Sequence, residues 1–210
     1  MLFRRERGQA GGVDRARLRE AMRERRAALP VGEQEAGSAA LVRAVLAHPA
    51  WERAQAVAGF VGVRGEPDTR GLLEGALAGG KRLWLPRVMP GRRLAWVRVD
   101  ELDRQLVEGA FGLLEPLPQG DGVVPRIEDA AVDLVLIPGL AFSSKGARIG
   151  FGGGYYDRAL EGVAGADRPV RMGLCFSSVL DPPEAPIPVA PHDVPMHVVV
   201  TEQGIVDCTG

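Results

Sequence analysis

Residues 132–160 read V-D-L-V-L-I-P-G-L-A-F-S-S-K-G-A-R-I-G-F-G-G-G-Y-Y-D-R-A-L, and this stretch decides the fold class. Leu134-Val135-Leu136-Ile137 is a continuous apolar run, the pattern of a strand buried on both faces. Pro138-Gly139 stops it. A basic, glycine-dense loop follows, carrying Lys145, Gly146, Arg148, Gly150, Gly152, Gly153 and Gly154. Tyr155-Tyr156-Asp157 then lead into a predicted helix. A strand feeding a basic glycine loop and then a helix start is suited to holding phosphate. Glycines let backbone N–H groups approach an anion, and the helix start adds partial positive charge.

Outward from this stretch, strands and helices alternate. Asp14 is the expected N-cap of a helix running to about Leu29, with Leu18, Met22 and Leu29 on an apolar stripe and a basic face of arginines. A second helix is expected over 31–46, a strand over 56–61, and a helix over 70–78 that Asp68 and Thr69 can cap. Strands are expected over 82–88, 93–99 and 171–176, and a last one ending at Thr201. Five prolines within 181–191 exclude a helix there. Alternation of this kind predicts an α/β fold, a three-layer α/β/α sandwich around a mainly parallel sheet. Residues 1–12 are expected to be a loosely attached tail and residues 13–210 a single domain.

The totals narrow the function. A net charge of -1 and 5% aromatic residues give no argument for nucleic acid or an anionic membrane. No apolar run approaches the roughly 18 to 20 residues that span a bilayer, and the N-terminus lacks a signal-peptide core. Cys175 and Cys208 are far apart, which predicts reduced thiols in a cytoplasmic setting, with Cys208 on a frayed tail. Small-molecule substrates are expected, bound by a monomer or weak homo-oligomer.

The glycine loop matches neither common nucleotide motif. No Lys-Ser or Lys-Thr follows its last glycine, and its G-x-G-x-G spacing is not that of a dinucleotide turn. The segment I-P-G-L-A-F-x-x-x-G-x-R-I-G-F-G-G-G-Y-Y-D-R instead resembles the signature of the 5-formyltetrahydrofolate cyclo-ligase (5,10-methenyltetrahydrofolate synthetase) family. F-V-x-x-x-x-E-P-D-T at 60–69, F-G-L-L-E-P at 111–116, P-H-D-V-P at 191–195 and the basic first helix extend the resemblance over about residues 14–202.

The resemblance implies a fold related to the sugar-phosphate isomerase and CoA-transferase group, and an ATP- and Mg2+-dependent cyclisation of 5-formyltetrahydrofolate to 5,10-methenyltetrahydrofolate. It implies ATP contacts from Arg15, Arg19, Arg148, Gly150, Gly152, Gly153, Gly154, Tyr155 and Tyr156, with Arg148 and Tyr155 in catalysis. It places Val61, Glu66, Phe111, Gly152, Gly153, Gly154 and Tyr155 against the folate, and Asp157 and Asp193 on the metal. Each of these also has a structural alternative: Asp157 as a helix cap, Asp193 as a turn residue, Glu66 as an exposed loop carboxylate, one of the tyrosines as packing. Arg15, Ser143 and His197 depart from the family pattern, where lysine, aspartate and aspartate are usual, and Leu114 replaces a frequent proline. These departures keep two other readings open: a non-catalytic nucleotide- or folate-binding paralogue, or another small-molecule enzyme on the same fold.

Overall fold

The computed structural model describes residues 14–63, 65–117 and 122–209; the expected tail over residues 1–12 lies outside them. Helix α1 (Arg15–Ala27) starts where Asp14 accepts the Ala16 N–H at 2.8 Å, and it ends two residues before the expected Leu29. Then come α2 (Val31–Leu46), α3 (Pro49–Arg53), β1 (Ala56–Ala58), α4 (Arg70–Ala78), β2 (Arg82–Met89) and β3 (Arg93–Val99). A short α5 (Leu102–Gln105) precedes the ribbon β4 (Leu106–Glu108) and β5 (Leu114–Pro116), followed by β6 (Val123–Val124) and β7 (Leu134–Ile137). The last elements are β8 (Ala141–Phe142), β9 (Arg148–Ile149), α6 (Tyr155–Leu160), β10 (Val170–Leu174), β11 (Val198–Thr201) and β12 (Gly204–Asp207).

The main sheet has the order β12-β11-β10-β7-β1-β2-β3-β6. Strands β11, β10, β7, β1 and β2 are mutually parallel, while β12, β3 and β6 join the two edges through antiparallel pairs. The apolar run of β7 explains the layering. Leu134 and Leu136 pack with Leu41 and Val45 of α2 and Leu72 of α4. Val135 and Ile137 pack on the opposite face with Leu18 and Met22 of α1 and Leu160 of α6. All four strand residues are fully buried, and each contributes on the order of 1.5–3 kcal/mol. The expected α/β/α sandwich is therefore the observed fold.

Two local expectations fail and a third holds only in part, each for an identifiable reason. The strand expected over 56–61 ends at Ala58, because Thr69 draws the following segment into a closed loop. Its hydroxyl donates to the Phe60 carbonyl at 2.5 Å and accepts the Gly62 N–H at 3.1 Å. Capping of α4 falls accordingly to Asp68, which accepts the Arg70 N–H at 2.9 Å. Cys208 is not on a frayed tail: β12 pairs with β11, and the Cys208 N–H donates to the His197 carbonyl at 2.8 Å. The loop after β7 contains the β8–β9 hairpin, where the Ser143 hydroxyl accepts the Ala147 N–H at 3.1 Å. A hydroxyl thus supplies the side-chain acceptor that closes this hairpin turn.

Candidate active site

A cavity of about 500 Å³ opens at the carboxyl ends of β1, β2 and β7, between Phe60, Val61, Leu85, Pro86 and Pro138. Strand β1 leads to β2 on one side, whereas β7, on the other side of β1, leads away to β10. Crossovers leaving in opposite directions open a crevice beyond the strand ends, which is where open α/β sheets bind ligands.

One wall is cationic. Arg148 leaves β9 with its side chain only 6% exposed and pairs with Asp157 in the first turn of α6. Its guanidinium also lies 5.8 Å from the centre of the Tyr156 ring, and its buried Nε has no partner among the described residues. Between them run Gly150 to Gly154. Gly152 at φ +103° and Gly154 at φ +64° take left-handed backbone that only glycine adopts without strain. From α1, Arg19 donates to the Gly150 carbonyl at 2.9 Å. Burial, then the charges of Arg15 and Arg23, lower its pKa, which shows how tightly cations are gathered here. Arg15, one turn earlier, donates to Asp193 Oδ2 at 2.5 Å and to the Pro188 carbonyl at 2.7 Å. Helical spacing thus presents Arg15 and Arg19 together, and a single Arg15 nitrogen, Nη2, serves both acceptors.

The expected residues sort as follows. Arg15, Arg19, Arg148, Val61, Glu66, Gly150, Gly152, Gly153, Gly154, Tyr155, Tyr156, Asp157 and Asp193 all line this one cavity. Of Phe111, which sits in the turn before β5, the side chain lies outside the described residues. Asp157 is an ion-pair partner of Arg148 rather than a helix cap, since no side chain caps α6. Asp193 does close a turn, accepting the Ala190 N–H at 2.7 Å, as well as pairing with Arg15. Burial pushes its carboxyl up, but the Arg15 and Ala190 hydrogen bonds outweigh that and hold it below the usual carboxylate range.

Glu66 is not an exposed loop carboxylate. Its side chain is 4% exposed, 4.0 Å from the Arg26 guanidinium, and it accepts the Val63 N–H at 3.1 Å. Tyr156 is largely packing: its ring meets Trp96 edge-on at 6.4 Å, and burial, then the Glu66 charge, raises the pKa of its hydroxyl so that it stays neutral. His197 sits away from the cavity lining, against Arg171 at the start of β10, so its departure from the family pattern does not touch this site.

The opposite wall is apolar, built from Leu85, Val88, Leu94, Leu113 and Leu114, and it also carries the buried Glu115. Strand alternation hid these residues: β2 and the β4–β5 ribbon read as ordinary core and loop, and their site-facing ends are set only by pairing across the sheet. His192, next to Asp193, lines the cavity as well. Among the described residues no group of three or more His, Cys, Asp or Glu could form a metal cage. Asp157 Oδ2 and Asp193 Oδ1 make no hydrogen bond among the described residues, the latter having His192 Nε2 at 3.8 Å. That donor set fits a magnesium ion held chiefly by phosphate oxygens, with one or two carboxylates.

Comparison with known proteins decides what this arrangement belongs to. Residues 12–202 match the profile of the 5-formyltetrahydrofolate cyclo-ligase family. The chain belongs to the 5-formyltetrahydrofolate cyclo-ligase family. It is 33% identical over 180 residues to the 5-formyltetrahydrofolate cyclo-ligase of Escherichia coli K12, covering 84% of this chain and 93% of that protein. The enzyme of the same name from Mycolicibacterium smegmatis is 34% identical over 156 residues, covering 71% and 75%. Among solved structures, Aquifex aeolicus 5,10-methenyltetrahydrofolate synthetase superposes with a TM-score of 0.78 at 30% identity, covering 93% of each chain. Within this cyclo-ligase fold, no helix of the described residues is long and apolar enough to cross a membrane.

Proposed function

We propose that this chain is an ATP-dependent 5-formyltetrahydrofolate cyclo-ligase. The observation that carries the reading is a single cavity joining a wall of arginines and glycines to an apolar wall with buried carboxylates. The first suits polyphosphate, the second a flat heterocycle bearing N–H donors. Arg15, Arg19, Arg148 and the backbone of 150–154 take the nucleotide phosphates. Val61, Glu66, Tyr155 and the apolar wall take the folate.

In the reaction, the formyl oxygen attacks the γ-phosphorus of ATP and the bond to the bridging oxygen breaks, releasing ADP. N10 then adds to the activated formyl carbon and loses its proton, and phosphate departs with the C–O electron pair. The product is 5,10-methenyltetrahydrofolate. Phosphoryl transfer of this kind depends on positioning and charge neutralisation. Arg148, held by Asp157 and the Tyr156 ring, is pre-organised to neutralise charge growing on the transferring phosphoryl oxygens. Tyr155, at the start of α6, lies where it can orient that group. Asp157 and Asp193 would hold Mg2+, which neutralises phosphate charge when bound. The test is direct: purified protein with ATP, magnesium and 5-formyltetrahydrofolate should develop the methenyl chromophore with stoichiometric ADP. Absence of ATP-dependent turnover overturns the reading.

A further inference from the structure

Four carboxylates line the cavity: Glu66, Glu115, Asp157 and Asp193. Three of them face a guanidinium: Glu66 faces Arg26, Asp157 faces Arg148, and Asp193 faces Arg15. Glu115 faces none among the described residues, yet it is only 4% exposed. Its one hydrogen bond among the described residues is a long one, from the Val88 N–H to Oε1 at 3.4 Å, and Oε2 accepts none among them. The neighbouring Arg87 directs Nη1 to the Pro116 carbonyl at 2.9 Å instead.

The position is shaped for this side chain. Glu115 lies on β5, and Gly109 follows β4, the strand paired with it. A Cβ at position 109 would come within 2.5 Å of the Glu115 carboxyl carbon and Oε2, so only glycine leaves the carboxylate its place. Leu85, Val88, Leu94 and Leu113 line the same cavity. Burying a carboxylate with so little support opposes folding. Such a group is balanced when the molecule in the cavity brings hydrogen-bond donors to it.

We propose that Glu115 determines substrate specificity by accepting hydrogen bonds from the ring N–H groups of the reduced pterin. The proposal rests on the reading that this cavity takes a reduced folate. Glu66 already accepts the Val63 N–H and faces Arg26, so its acceptor capacity is partly spent. Oε2 of Glu115 is uncommitted among the described residues, and a carboxylate can take two adjacent N–H donors at once.

The test compares wild type with Glu115→Gln, an isosteric change, by calorimetric titration with 5-formyltetrahydrofolate and by steady-state kinetics. The expected result is a roughly tenfold to hundredfold loss of folate affinity, the size of one or two charge-assisted hydrogen bonds. The KM for ATP should stay within about twofold, and thermal stability should be unchanged or higher, as for removal of a poorly supported buried charge. A second variant, Gly109→Ala, keeps the carboxylate but displaces it, and should reproduce the folate-selective loss. Folate affinity within about twofold of wild type in both variants overturns the proposal. So does a loss for ATP and folate alike accompanied by lower stability, which would make Glu115 a structural residue. Wild-type protein that binds the folate without turning it over refutes the reaction instead, and leaves the Glu115 comparison decisive.

Discussion

Replacing Arg26 with methionine tests whether one buried guanidinium holds the site loops together. Arg26 is 3% exposed at the last turn of α1. It donates to the carbonyls of Gly65 at 3.1 Å, Gly139 at 3.3 Å and Val63 at 3.4 Å, faces Glu66 at 4.0 Å, and lies 5.5 Å from the Phe151 ring centre. It therefore ties α1 to the loop after β1, the end of β7 and the glycine loop. Burial lowers its pKa, and the Glu66 charge offsets part of that, so the group is costly to bury and dependent on these partners. One hydrogen bond of good length to a charged donor is worth about 1.5–3 kcal/mol, and the two longer ones less. Methionine recovers some packing, leaving a net loss of about 3 kcal/mol. For a domain of this size that lowers Tm by about 6–12 °C. Urea unfolding of Arg26→Met, Glu66→Gln and the double variant should show a coupling of at least about 1 kcal/mol between the two residues. A loss under about 1 kcal/mol in Arg26→Met, or strictly additive effects, would refute the reasoning.

Asp157→Asn should reduce ATP-dependent turnover at least about a hundredfold, because Arg148 loses its counter-charge and the proposed magnesium site would lose a carboxylate; turnover within tenfold of wild type removes Asp157 from the machinery. Cys175 is buried, and burial, followed by the charge of Glu202, raises its thiol pKa; mass spectrometry after brief alkylation should find it unmodified in the native protein and modified in urea. His197 has its pKa lowered, first by burial and then by the adjacent Arg171 charge. The unfolded state therefore binds the proton more readily, so stability is fully present above the ordinary value of 6.5 and falls as pH drops below it. Thermal melting of His197→Gln should be less acid-sensitive between pH 7 and pH 5 than wild type, and parallel profiles would remove His197 as the cause.

The backbone architecture was legible because its elements carry strong local patterns. The helix bounds over 31–46 and 70–78 and the strand over 93–99 follow from periodicity and from breakers such as Pro30 and Gly79-Gly80. The boundaries that failed were settled by side chains arriving from elsewhere, such as Thr69 reaching back to Phe60 and Gly62. The cationic half of the site was legible too, since the glycines, Arg148, the tyrosines and Asp157 lie within one short stretch. The apolar half was not, because β2 and the β4–β5 ribbon look like core or loop until sheet pairing turns their ends toward the cavity.

The sequence by itself determined the class of chemistry: a basic glycine loop between a doubly buried strand and a helix start can hold phosphate in any α/β setting. Only the tertiary structure decided how each charge is used. Arg15 and Asp193 are separated by most of the chain and yet pair at 2.5 Å, and Arg26 serves the loops rather than solvent. Glu115 alone among the cavity carboxylates faces no guanidinium among the described residues. Residue type fixes which charges exist, but burial and partners set by long-range packing fix which of them remain available to a ligand.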